Sequence, residues 1–283
     1  LQETLPFEFA HRNAGKLVLL SSSEELEAAK TSSAMKQQRG CDAQVLTREE
    51  AIAVDPAIGN MSDEVIAAVY SASDDVADSQ LFTSRLTEWL DSQDAAEFRL
   101  SSQARQLVEH KGRVRGVVVD GDELEADAVV VCLGAWAQDF LQAAGINPHI
   151  VPVRGYSITL PPGSSAPDVS VTALKYKMVY SRLNGATRIA GFADFTGFET
   201  SADDERIRLL SNMAQEFAPQ AADYDSSDAT AWGGFRPMTP DGRPLVGATK
   251  VPGLYINVGH GMLGWTLACA TAHDAAHAVA NLH

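Results

Sequence analysis

Arg236 stands inside GGFRPMTPDGRPLVG, residues 233–247, a run patterned by glycine and proline around a guanidinium. A planar fork of five N–H donors holds a carboxylate through two parallel hydrogen bonds, and a stiff backbone loses little entropy on binding. An arginine that merely neutralises a surface carboxylate needs no such setting. The stretch reads as a rigid loop. Further on, LYINV reads as a short buried strand, GHGMLG (residues 259–264) as a glycine-rich turn, and the Ala-dense remainder as a helix. Backbone N–H groups and a helix N-terminus in such a turn suit a partial negative charge. His260 either tunes that charge or fills the turn. Gly134 closes the apolar run AVVVCLG, and AWAQDFLQAAG after it reads as a helix. Strand, glycine, helix brings a backbone close to a ligand at the carboxyl edge of an α/β sheet; a glycine there also serves a tight turn alone.

The other chemical side chains are less specific. Tyr156, Tyr176 and Tyr180 fall in strand-like segments, where a tyrosine packs as readily as it contacts a ligand. Asp241 sits in Pro-Asp-Gly and reads as a turn former. His273 and His277 are four apart, but a metal needs a third ligand, and a solvated helix face accounts for them. No metal is expected.

The elements that must position these groups alternate in type. SSSEELEAAKTSSAMKQQRG carries capping serines and ends at Gly40; VLTREEAIAVDPAI places Thr47 three residues before Glu50; DSQLFTSRLTEWLDSQ puts Leu81, Phe82, Leu86, Trp89 and Leu90 at helical spacing behind Asp78 or Ser79. From Glu97 to Leu133 the pattern turns to strands, with turns at Lys111-Gly112 and Gly121-Asp122, and AVVVCLG reads as a fully buried parallel strand. Residues 151–194 alternate as an antiparallel sheet does, with a hairpin at Asn184-Gly185, and a helix at ADDERIRLLSNMAQEFAP closes that section. The fold class is mixed α/β, a parallel α/β domain interleaved with an antiparallel-sheet domain.

Composition narrows the function. In 283 residues, 45% are apolar and the net charge is −15, so a globular core is expected and nucleic acid, which needs clustered Lys and Arg, is excluded as a partner. Three scattered cysteines support neither a disulfide framework nor a zinc site, and a reducing compartment fits. No apolar run is long enough to span a bilayer. The opening, LQETLPFEFA, lacks an initiator Met and reads as a processed or truncated chain.

ADAVVVCLGAW, VPVRGYSITL, GGFRPMTPDGRPLVGAT and LYINVGHGMLGWTLACATAHDAAHAV together resemble four landmarks of the flavin-dependent D-amino acid oxidase superfamily. DSQLFTSRL and YKMVYSR add to a likeness that runs along essentially the whole chain and is loosest over the first 70 residues; within the superfamily it is strongest to the bacterial D-amino acid dehydrogenases. The resemblance implies FAD, with Arg236 pairing the substrate carboxylate, and Tyr176, Tyr180 and His260 as further catalytic candidates. It implies cofactor contacts at Ala104, at Gly134, Ala135 and Trp136, and from Gly259 through His260, Gly261, Met262, Leu263, Gly264 and Trp265 to Thr266. The implied reaction is oxidative deamination of a D-amino acid or related small amine: hydride passes from the alpha carbon to flavin N5, and the imino acid is then hydrolysed. Reduced flavin would pass electrons to a respiratory acceptor or to oxygen, in the cytoplasm or, with peripheral membrane association, at the cytoplasmic face of the inner membrane. The implied domain order is substrate domain over 1–70, FAD domain over 71–148, substrate sheet over 149–228 and FAD domain again over 229–283.

The chain departs from that family in one respect. Members begin with a strand, a Gly-x-Gly-x-x-Gly turn and a helix, with an acidic residue for ribose at the end of the second strand; this chain is read as holding no Gly-x-Gly-x-x-Gly anywhere, and so as lacking that N-terminal unit. The chain is therefore expected to be a fragment, an incomplete Rossmann-like domain that binds flavin weakly or not at all and self-associates through an open sheet edge. A non-catalytic subunit or ligand-binding module on the same scaffold is the alternative, and glycine or hydroxyproline oxidases are the near neighbours.

Overall fold

The computed structural model describes residues 5–94, 96–201 and 203–281. The chain forms two compact units: unit 1 holds residues 1–96, 155–193 and 200–233, and unit 2 holds 97–154, 194–199 and 234–283. In chain order the first elements are β1 (Arg12–Asn13), β2 (Lys16–Leu20), α1 (Ser23–Gln37), β3 (Ala43–Thr47), α2 (Arg48–Val54), β4 (Ala67–Ser71), β5 (Asp75–Val76) and α3 (Ser79–Ser92). Then come β6 (Ala104–His110), β7 (Arg113–Val119), β8 (Asp122–Glu125), β9 (Val129–Val131) and α4 (Ala137–Gln142). β10 (Val151–Leu160), β11 (Ser170–Ala173), β12 (Met178–Leu183), β13 (Ala186–Asp194) and α5 (Asp203–Phe217) follow. The last are β14 (Thr230–Met238), β15 (Leu245–Ala248), β16 (Leu254–Val258) and α6 (Gly264–Ala280).

Local signals set the elements of unit 1. Ser22 caps α1 by accepting from the Glu25 N–H, and Thr47 and Glu50 form a reciprocal capping box on α2. Asn184 and Gly185, at φ 50° and 79°, make the left-handed pair that a two-residue hairpin between β12 and β13 requires. One sheet runs in the order β14-β10-β13-β12-β11-β2-β4-β3, with β11 and β2 parallel and β12–β13, β2–β4 and β3–β4 antiparallel. After Lys16, β2 is apolar throughout because both of its faces are covered: Leu17 and Leu19 enter the main core with Val171, Tyr180 and Ile189, and Leu20 packs with Ala29 and Val69.

Unit 2 is built from two small sheets. β6, β7 and β8 form an antiparallel meander; in β15-β16-β9 the pair β16–β9 is parallel. Val114, Val131, Leu141, Ile150, Leu254 and Val258 make its core, and α6 turns Thr271 and Ala275 inward.

The structure corrects three expectations. GGFRPM is strand, not loop: β14 lies at the edge of its sheet, where a proline without an N–H is tolerated. AVVVCLG gives strand only at Val129–Val131, and Val130 is 41% exposed, on the face opposite the buried Val131. Residues 97–103 are not strand, and β6 begins at Ala104. In unit 1, α3 packs on the start of the chain: Phe82 meets the rings of Phe7 and Phe9, and the Asp78 N–H donates to the Phe9 carbonyl.

Asp55 ties distant parts of unit 1 together. It is buried, its Oδ1 accepts from the Ala57 N–H at 3.0 Å, and its Oδ2 accepts from the N–H groups of Asp168 (2.7 Å) and Val169 (3.1 Å). Asp55→Ala leaves these donors without their carboxylate and is expected to cost about 2–4 kcal/mol of unfolding free energy, with Asp55→Asn costing less. Denaturant titration checks this; equal stability of Asp55→Ala and parent would show the contacts to be idle.

Candidate functional site

The site grows from the parallel pair in unit 2. Leu254, Tyr255 and Ile256 of β16 sit opposite Val129, Val130 and Val131 of β9, so both strands deliver their carboxyl ends to one edge. There β9 runs on to Gly134 and β16 to Gly259, the place where open α/β sheets take ligands. Gly259 is at φ +80°, and a Cβ on it would stand 2.6 Å from Thr239 Cγ2; a Cβ on Gly261 would stand 2.9 Å from Met238 Sδ. The glycine turn therefore lies directly against the end of β14, two to three residues past Arg236. Only glycine fits Gly259, for lack of space and for its left-handed backbone.

From the other side, Trp136 meets the same strand. Its ring lies edge-on to Phe235 at 6.0 Å, next to Arg236 in sequence. Phe198 stacks on Trp136 at 5.5 Å and meets Phe235 edge-on at 5.1 Å, and the buried Arg154 guanidinium lies 4.4 Å from the Phe235 centroid. Thus Arg236, Gly134–Trp136 and the Gly259 turn, three separate landmarks of the sequence, come together in unit 2. Burial lowers the pKa of Arg236 from its ordinary value, and the same removal from water strengthens its attraction for a carboxylate.

The turn itself is set up for charge. α6 begins at Gly264 with no side-chain cap, so the partial positive charge of its first turn is left to other partners. His260 Nε2 lies 3.0 Å from Thr271 Oγ1, whose own proton is within reach of the Leu267 carbonyl at 3.0 Å. With that proton on Leu267, the His260 ring donates through Nε2. Met262, Leu263, Trp265 and Thr266 are exposed, and Ala135 is buried. Gly259-x-Gly261-x-x-Gly264 is itself a Gly-x-Gly-x-x-Gly between a strand and a helix, which corrects the expectation that the chain holds no such spacing. It is a strand-end turn here, leading from β16 into α6.

The remaining nominated residues lie elsewhere. Ala104 borders a cavity of about 490 Å³ in unit 2, lined also by Glu97, Arg99, Ser102, Val119 and Leu124. Tyr180 is sealed in the core of unit 1; its hydroxyl donates to the Ala214 carbonyl at 3.1 Å, and burial pushes its pKa far up. A group so enclosed is not available to a ligand, which corrects the catalytic expectation. Tyr176, also in unit 1, donates to Glu64 at 2.8 Å, and that carboxylate, also paired with Lys175, raises the tyrosine's pKa. Tyr156 is buried against Phe192. Asp241 accepts from the Arg243 N–H and shapes its turn. His273 and His277 stack on an exposed helix face, and among the described residues no three His, Cys, Asp or Glu side chains group to hold a metal. Phe198, Phe235 and Arg154 escaped the sequence reading; the Gly-Phe at 197–198 and the Phe before Arg236 were the only local hints.

Residues 1–278 match the family described as FAD dependent oxidoreductase. The D-amino acid dehydrogenase of Bradyrhizobium diazoefficiens is 33% identical over 273 residues, covering 96% of this chain and 64% of that protein. D-amino acid dehydrogenase 2 of Ralstonia nicotianae is 36% identical over 276 residues, covering 95% of this chain and 64% of that protein. The chain thus spans just under two thirds of the length of these relatives. Among solved structures, glycine oxidase from Geobacillus kaustophilus covers 99% of the chain and 74% of its own, with TM-score 0.85 and 21% identity. L-proline dehydrogenase from P. horikoshii covers 96% and 73%, with TM-score 0.80 and 22% identity. Both share the fold.

Burial lowers the pKa of His260 below its ordinary 6.5. The unfolded chain then binds the proton more readily than the folded one, so this contribution to stability is full above 6.5 and is lost as pH falls through the folded value. The melting temperature is expected to drop between about pH 7.5 and about pH 5.5, and His260→Gln, which can still reach Thr271, to flatten part of that drop. Identical profiles for variant and parent would mean that His260 titrates as it would in water.

Proposed function

Because the chain belongs to the family of FAD-dependent oxidoreductases, we propose that it carries the substrate-binding and ring-side part of a flavoprotein that oxidatively deaminates D-amino acids. The observation that carries this reading is Arg236, drawn out of water on an edge strand and set beside two glycine turns at the carboxyl ends of parallel strands. The names of the curated relatives, D-amino acid dehydrogenases, point to the same substrate class.

FAD, when bound, supplies the acceptor for two electrons from the substrate's alpha carbon. Gly134–Trp136 and Gly259–Thr266 would hold its ring side, and their fit rests on the uncapped start of α6. Ala104 and its cavity would meet the other half of the cofactor. Arg236 clasps the substrate carboxylate and fixes the direction of the alpha C–H, so the chain contributes mainly positioning. A neutral His260 keeps the turn free of a full positive charge, leaving the backbone N–H groups and the helix start to favour negative charge nearby. A respiratory acceptor, and action in the cytoplasm or at the cytoplasmic face of the inner membrane, complete the proposal. Among the described residues no helix is long and apolar enough to cross a membrane. The open edge of β9 is the proposed place of any self-association.

Visible absorption tests the proposal first. FAD added to the isolated chain is expected to bind weakly or not at all; in a protein that joins this chain to an N-terminal nucleotide-binding unit, a flavin band should bleach with a D-amino acid. A joined protein that never takes up flavin would leave a ligand-binding module as the reading, and bleaching by glycine or hydroxyproline alone would move the substrate class. In the joined protein Arg236→Leu is expected to lower kcat/KM by roughly 30- to 1000-fold, mostly through KM, as loss of about 2–4 kcal/mol of charge-paired binding implies. Unchanged kinetics would remove Arg236 from the substrate site.

A further inference from the structure

The connection from β13 to α5 does not stay with the elements it joins. Its residues Asp194–Glu199 belong to unit 2, although β13 up to Ala193 and the chain from Thr200 belong to unit 1. The segment is a closed turn: the Glu199 N–H donates to the Thr196 carbonyl at 3.2 Å, and Gly197 takes φ +61°, which a side chain would strain. That turn presents Phe198, whose ring lies flat on Trp136 (5.5 Å, 19°) and edge-on to Phe235 (5.1 Å). The contacts hold despite exposure: Trp136 is 60% and Phe198 42% accessible. A flat aromatic stack at that exposure rests on ring-to-ring contact more than on burial.

Phe235 is the natural anchor for Arg236. Gly233 and Gly234 precede it and have no side chains to grip, and Pro237 follows. Adjacent residues of a strand point to opposite faces, so a grip on the Phe235 ring fixes the face from which Arg236 leaves. Arg154 holds that ring through its guanidinium, and Phe198 and Trp136 hold it by their ring edges and faces. We infer that Asp194–Glu199 is a latch and that Phe198 is a positioning residue for Arg236, keeping β14 in the shape that presents the guanidinium to a carboxylate. The substrate half of this inference rests on the proposed function; the latch itself does not.

Phe198→Ala and Phe198→Tyr separate the two. Hydrogen exchange followed by mass spectrometry on the chain as it stands reads the latch: Phe198→Ala is expected to speed exchange across Gly233–Met238 several-fold, about the loss of one aromatic pair, with β2 unchanged and Phe198→Tyr like the parent. In the flavin-loaded joined protein, Phe198→Ala should raise KM for a D-amino acid about five- to tenfold and leave kcat within about twofold. Unchanged exchange at Gly233–Met238 would overturn the latch. Faster exchange with an unchanged KM would overturn the positioning of Arg236. A loaded parent without D-amino acid turnover would sink the proposed function instead, and the exchange result would still decide the latch.

Discussion

Unit 2 depends on the parallel register of β9 with β16. Val129 opposite Leu254 and Val131 opposite Ile256 bring two strand ends level, and everything chemically notable leaves from those ends. A shift by one residue would carry Val131 and Leu254 from the core face to the other face and separate the Gly134 turn from the Gly259 turn. Parallel pairing also leaves the turns free of hairpin duty, so their backbone groups can face a ligand.

Around this pair the chain gathers two guanidinium groups, Arg236 and Arg154, with glycine turns and aromatic rings between them. Arg236 is a rigid fork on an edge strand, the glycine turn against Met238 and Thr239 fills the space beside it, and aromatic rings pack the other flank. Such an assembly suits a reaction in which orientation and field matter more than proton abstraction. The partners in unit 1 tell a different story: Tyr180 and Tyr224 share the Ala214 carbonyl, and Tyr176 joins Glu64 and Lys175, so these tyrosines hold their own core and surface.

What could be read beforehand was whatever is encoded within a few residues. Ser22, the Thr47–Glu50 box and the Asn184–Gly185 hairpin act locally, and the sequence states them outright. The likeness of four landmarks supplied Arg236 and the Gly259 turn. Three things were hidden. The glycines and prolines of β14 read locally as a loop because they usually break strands, and the exception depends on being at an edge. Tyr180 was nominated because nothing local tells which face of β12 is roofed by α5. The Trp136–Phe198–Phe235 cluster joins three distant stretches of chain, so no window of sequence contains it.

Unit 2 is also assembled late. Its parallel pair joins Val129–Val131 to Leu254–Ile256, and unit 1 contributes most of the chain between them. During synthesis β9 emerges with its apolar edge bare and meets β16 only after the intervening segments of unit 1 have been made. Contacts so far apart in sequence form slowly and leave sticky strand edges exposed meanwhile.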